Sequence, residues 1–194
     1  MNIFKTESML KWLWITVVVV ALDQISKQWI SHSLQMFHPI KLMPMLNLFL
    51  AHNKGAAFSF LENAGGWQRW LFTLIALGVS TGLVLWIRKL QPHERWMAIG
   101  LAFILGGALG NVIDRILFGY VIDFIQFYYH AQSCLPGFSL VQDAQASLCI
   151  WPSFNVADSA ITVGAALLIL DSILNLKHKH RDATTSPEAK HGGG

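Results

Sequence analysis

Two aspartates stand beside the most apolar runs of this chain: Asp123 in "GYVIDFIQF" and Asp158 in "FNVADSAITVGAALLILDSIL". Asp158 has a structural account. With Asn155 as N-cap it falls at N3, where a carboxylate favours the helix dipole and unpaired N–H groups. Asp123 has no such account, because it follows Gly119 and is flanked by Val121, Ile122, Phe124 and Ile125. An apolar setting raises a carboxyl's pKa, and two carboxyls in one site push their pKa values apart. Such a pair can activate water: the ionised member takes its proton, and the protonated member donates to the carbonyl oxygen under attack. The two titrate as a unit, so the shared proton is assigned to neither. Other chemistries find less support. No serine or cysteine has an evident histidine partner, and His32, His38, His52, His93 and His130 lack ligand spacing, so no metal is expected.

Those carboxyls meet only if the elements that carry them end at one face. The chain of 194 residues is 54% hydrophobic and 13% charged, with a mean hydropathy of +0.45. A soluble domain is about 25% charged, so the bilayer is the expected solvent. Four segments, 12–31, 67–88, 96–118 and 155–176, reach the length needed to cross a membrane. The first is read as a retained helix, since no small-x-small cleavage site follows "WLWITVVVVAL" and the helix continues through "DQISKQWI". Lys5 and Lys11 precede it, Arg88, Lys89 and Arg95 lie between spans two and three, and Lys177, Lys179, Arg181 and Lys190 follow span four. Positive charge marks the cytoplasmic side, which puts both termini inside and the connections 32–66 and 119–154 outside. Trp29, Trp67, Trp70 and Trp151 then fall at the outer boundary, and Trp12, Trp14, Trp86 and Trp96 at the inner one. Spans three and four are antiparallel neighbours, so Asp123 and Asp158 come to the same outer face. The net charge of +3, without a basic cluster among aromatics, speaks against nucleic acid as partner.

Further polar groups need a reason to be in the membrane. Asp23 and Lys27 are one turn apart and read as a structural ion pair. In "GGALGNVIDR", Gly106, Gly107 and Gly110 allow close helix approach, while Asn111, Asp114 and Arg115 share one side of the helix. That notch serves as an interhelical clamp, a substrate contact, or both. The stretch "IKLMPMLNLFLAHNKGAAFSF" suggests strands or turns resting on the membrane surface. Cys134 and Cys149, on the oxidising side, form either a disulfide or two separate small apolar residues. Residues 1–181 read as one integral-membrane domain, and 182–194 as a disordered cytoplasmic tail. A proton-coupled transporter with the acids as relay is the rival reading, and an inert membrane scaffold a third.

Five fragments, "DQISK", "NKGAAFS", "GGALGNVIDR", "VIDFI" and "FNVADS", occur on this four-span frame in the order found in lipoprotein signal peptidases. From about residue 10 to 176 the chain resembles that family, also called signal peptidase II. The resemblance implies an all-α membrane fold of four helices with a small extracytoplasmic β-cradle and a long periplasmic loop. It implies a cofactor-independent aspartyl endopeptidase of the bacterial inner membrane, which cuts prolipoproteins just before a diacylglyceryl-modified cysteine. Asp123 and Asp158 would be its catalytic pair. Asn53, Gly107, Asn111, Arg115 and Asn155 would line or shape the substrate groove, and Asp23, Lys27 and Asp114 would hold the fold. Diacylglyceryl prolipoproteins, membrane lipids and a globomycin-type inhibitor are the implied partners. The chain departs from the family between the two aspartates, where the connection is longer than usual and contains both cysteines. Asp143 lies in that added length and matches no family motif.

Overall fold

The computed structural model describes residues 8–55, 65–143 and 146–185. A 3-10 turn at Met9–Trp12 leads into α1, Leu13–Ser33. Next come β1 (Ile40–Met43), β2 (Leu46–Asn53), α2 (Trp67–Lys89) and α3 (Arg95–Leu117). Strands β3 (Val121–His130), β4 (Ser139–Asp143) and β5 (Ala146–Ile150) precede α4, Val156–Thr185. All four helices contain windows long and apolar enough to cross a membrane. In a solvent that offers no hydrogen bonds, a helix is what satisfies its own backbone.

α3 is the hub of the bundle and packs against the other three helices. Its small residues make this contact close. A Cβ on Gly106 would lie 2.7 Å from Val19 of α1, and one on Gly107 would collide with the Ala157 carbonyl of α4. Apolar clusters fill the remaining contacts, around Leu101, Leu105 and Ile87 on one side and Ala102, Ile15 and Val19 on the other. Outward surfaces of the helices expose Val17, Leu74, Ile169 and many similar residues. That pattern suits lipid, where the apolar side chain has nothing to escape.

At one end of the bundle the connections form an antiparallel sheet in the order β1-β2-β3-β5-β4. The strands expected in 32–66 are β1 and β2. The connection read as a long loop contributes three more strands: β3 pairs with β2 from far back in the chain, and β5, which forms a hairpin with β4, pairs along β3 as well. Asp123 therefore sits on a strand. α4 also runs to Thr185, four residues into the segment read as a disordered tail. No Gly or Pro interrupts that stretch before Pro187, so the helix propagates beyond its apolar portion. Residues 186–194 lie outside the described ones, as does the "AAFS" portion of the second motif.

Candidate active site

Asp123 is delivered by the end of α3. Gly119 takes φ 84°, a left-handed conformation that stops the helix and turns the chain into β3. The Ile122 N–H then donates to Asp114 Oδ2 at 3.0 Å, which pins the residue before Asp123. Asp158 is delivered in a parallel way, since the preceding Ala157 N–H donates to Asp23 Oδ1 at 2.9 Å. Lys27 joins the two anchors. Its Nζ lies 2.8 Å from Asp23 Oδ2 and 2.9 Å from Asp114 Oδ2, and all three side chains are fully buried. Gln24 supports the group by donating to Asp114 Oδ1 at 2.9 Å and to the Gly110 carbonyl at 3.2 Å.

Polarity passes from this ionic cluster to the carboxyls through two amides. Lys27 can only donate, and it donates to Asn111 Oδ1 at 3.0 Å. Asn111 must therefore turn its NH2 outward, where it meets Asp158 Oδ1 at 2.8 Å. Asn155 is oriented by α4 itself. Its Oδ1 accepts from the Asp158 N–H at 2.9 Å, and its own N–H donates to Asp158 Oδ2 at 3.2 Å. That reciprocal pair is a capping box with Asn at N-cap and Asp at N3, as the sequence spacing suggests. With its oxygen engaged, Asn155 aims Nδ2 at Asp123 Oδ1, 2.7 Å away, and at Asn111 Oδ1, 3.2 Å away. The two carboxyls are thus held on one pair of linked amides.

The sheet supplies the other side of Asp123. Ala51 pairs with Asp123 and Asn53 with Val121, so residues 53 and 123 share a face. Asn53 Nδ2 donates to Asp123 Oδ2 at 3.0 Å. After β5 the chain runs beside β3, with the Phe154 N–H on the Ile125 carbonyl at 3.0 Å, and this places Asn155 next to Asp123. Burial pushes the Asp123 carboxyl up to about 7, and repulsion from Asp158 adds to the rise. Hydrogen bonds from Asn53 and Asn155 pull the other way and are outweighed. At neutral pH the carboxyl is poised between its two protonation states.

A cavity of about 1010 Å³ opens over this arrangement. Asn53, Asn111, Arg115, Asp123 and Asp158 all line it. Arg115 donates to the Asn111 and Gly55 carbonyls, each at 3.4 Å, and its guanidinium lies 5.5 Å from the centre of the Phe72 ring. Two of the residues expected to line or shape the groove, Gly107 and Asn155, are not among those that line the cavity. Gly107 is at the α3–α4 contact, where it sets how closely Asn111 and Asp158 approach. Asn155 is fully buried behind the carboxyls, so it orients them and does not line the cavity. His52 was not singled out, yet it lines the cavity and stacks on Tyr120 with 3.9 Å between ring centroids. Burial, with the charge of Lys54, lowers its pKa and keeps the ring neutral. Cys134 and Cys149 are joined in a disulfide, with Cα atoms 5.4 Å apart.

Four helices long and apolar enough to cross a membrane thus carry two amide-bridged carboxyls beneath a cavity at one end. The sequence pattern of signal peptidase (SPase) II matches residues 15–174. The lipoprotein signal peptidase of Shewanella sp. (strain MR-4) is 45% identical over 172 residues, covering 88% of this chain and 91% of its own length. That of Pseudomonas aeruginosa is 46% identical over 184 residues, covering 94% and 95%. Among solved structures, a bacterial membrane enzyme at 2.3 Å resolution superposes with a TM-score of 0.69 at 27% identity, covering 97% of this chain and 99% of that one. The chain belongs to the signal peptidase II family, whose members are aspartic proteases that cleave signal peptides from lipoproteins.

Proposed function

We propose that Asp123 and Asp158 are the catalytic pair of this peptidase and that it cuts diacylglyceryl prolipoproteins before the lipidated cysteine. Together the carboxyls hold one proton at neutral pH. The ionised member removes a proton from a water molecule, whose oxygen bonds to the scissile carbonyl carbon. The other gives its proton to the carbonyl oxygen, forming a tetrahedral diol. When the C–N bond breaks, the pair returns a proton to the cysteine nitrogen, leaving a free amine and a new carboxylate. Asn53, Asn111 and Arg115 face the cavity and can satisfy the peptide's polar groups, while Asp23, Lys27 and Asp114 keep both acidic residues in place.

The observation that carries this reading is the linked-amide bridge, in which Asn155 holds Asp123 and Asn111 holds Asp158. Two acidic groups on different elements are fixed against their mutual repulsion, which a purely structural role does not require. The acids Asp23, Asp114, Asp123 and Asp158 also gather at one end of the bundle and form no file across it, which disfavours a transport relay. Ile161 and Val163 of α4 line the same cavity, so acyl chains can enter from the side. The distribution of Lys and Arg supports an orientation in the bacterial inner membrane with the sheet end toward the periplasm and both termini toward the cytoplasm. A globomycin-type cyclic peptide occupies the cavity in place of substrate.

The test is cleavage of a purified diacylated prolipoprotein by the purified enzyme in detergent. The expected products are a free signal peptide and a mature chain beginning at the lipidated cysteine, with inhibition by globomycin. Uncleaved precursor, or a cut at another bond, would overturn the assignment.

A further inference from the structure

The added length between the two aspartates builds part of the cavity. Disulfide Cys134–Cys149 ties the segment 134–138 to β5, and Cys149 is itself fully buried opposite Tyr129 of β3. The Leu135 N–H donates to the Tyr129 hydroxyl at 2.7 Å, and the Phe138 N–H to the Leu135 carbonyl at 3.1 Å. Phe138 then stands edge-on to both Tyr129 and Trp151, with ring centroids 5.0 and 5.2 Å away. Gly137, at φ 90°, lets the backbone pass the Trp151 ring, which a Cβ would meet at 2.5 Å. The Trp151 N–H is held by the Phe127 carbonyl at 2.9 Å. Phe127, Tyr129, Phe138 and Trp151 all line the same cavity as Asp123 and Asp158. This is a braced aromatic wall.

Position decides what the wall meets. The cavity has Ile161 and Val163, inside the membrane-crossing part of α4, at one end and Phe138 and Trp151, which flank strands β4 and β5, at the other. The carboxyls lie between. A diacylglyceryl group belongs at the first end, beside lipid. The peptide that follows the modified cysteine leaves the membrane and passes the second. Among the described lining residues the charged groups, Arg115, Asp123 and Asp158, are at the carboxyl site and not at the wall. Building on the reading above, we infer that this wall is a specificity subsite for the second and third residues of the mature lipoprotein and that it favours apolar or aromatic side chains there. Tyr, Trp and Phe faces offer such side chains large area and defined ring geometry.

The experiment compares synthetic diacylglyceryl prolipoproteins that differ only at the two residues after the cysteine, Leu-Phe against Ser-Ser, with intact full-length enzyme in detergent. The expected kcat/KM ratio is on the order of 10 in favour of Leu-Phe, carried by KM. Phe138→Ala and the milder Trp151→Phe should each bring the ratio toward one, as should reduction of the disulfide in the wild-type enzyme. A wild-type ratio near one overturns the subsite while leaving the peptidase reading intact. So does a ratio unchanged by Phe138→Ala, or a Phe138→Ala defect that follows acyl-chain length and not the peptide residues. Cleavage of neither substrate overturns both.

Discussion

Lys27→Met is the substitution whose consequences the structure specifies most fully. Methionine keeps the length and most of the volume of the stem but removes the ammonium. That ammonium contacts Asp23, Asp114 and Asn111 at 2.8, 2.9 and 3.0 Å and is shielded from solvent. Its loss leaves two buried carboxylates without a counter-charge, and breaking a buried ion pair from one side costs about 3–5 kcal/mol. At about 2–4 °C of Tm per kcal/mol for a chain of this size, thermal unfolding should shift down by roughly 10 °C. Activity should fall as well, even below the new Tm. Asp114 holds the Ile122 N–H and Asp23 holds the Ala157 N–H, and these residues immediately precede the two candidate catalytic acids. Asn111 loses the donor that fixes its amide. The triple substitution Asp23→Asn, Lys27→Met, Asp114→Asn removes all three charges and should regain most of the lost Tm, because no unpaired ion remains. The assay is thermal unfolding in detergent, followed by intrinsic tryptophan fluorescence, alongside turnover at a fixed temperature. A Lys27→Met enzyme that unfolds with the wild type, or a triple variant no more stable than the single one, would refute this reasoning.

Turnover should decline as pH rises through about 7, because the Asp123 carboxyl is pushed up to that value and loses the proton the pair shares. Stability has the same sign. A carboxyl whose folded pKa lies above its ordinary value of 3.8 stabilises fully below that value and loses this contribution as pH climbs to about 7. Asp123→Asn should therefore flatten the dependence of unfolding on pH over that window, which titrated thermal melts would show. Gly107→Val should lower Tm by overpacking the α3–α4 contact, at a cost of about 1–3 kcal/mol, with loss of turnover following from displacement of Asn111. A change in KM at unaltered Tm would instead return Gly107 to the groove. Asp143→Asn should leave turnover as it is, and a dead enzyme there would mean that the acidic roles are misassigned.

Much of this was legible in the residues because it is local. The Asp23–Lys27 pair follows from one-turn spacing, and the capping box from Asn155 standing three before Asp158. The four spans follow from run length. What was not legible depends on pairing at a distance. "VIDFI" carries no local mark that distinguishes the end of a helix from a strand, and only the register with β2 puts Asn53 beside Asp123. The hairpin β4–β5 has ordinary polar and apolar residues, and it is held in the sheet by β5 lying against β3. Lys27 reaches Asn111 and Asp114 across a helix interface, which no spacing within α1 encodes. Gly107 and Asn155 belong to motif positions near the site, yet motif membership does not say whether a residue faces the cavity or the packing behind it. His52 could have been noticed as the next-to-last residue of "LNLFLAHN", on the strand that pairs with Asp123.

The central claim is that Asp123 and Asp158 act together. Its most direct test is the single-turnover cleavage rate of a diacylated prolipoprotein by Asp123→Asn and by Asp158→Asn, each confirmed as folded by its thermal melt. The account predicts no detectable product from either, since the carboxyl that remains can act as base or as acid but not as both at once, and an amide can do neither. Substantial cleavage by either folded variant would contradict it.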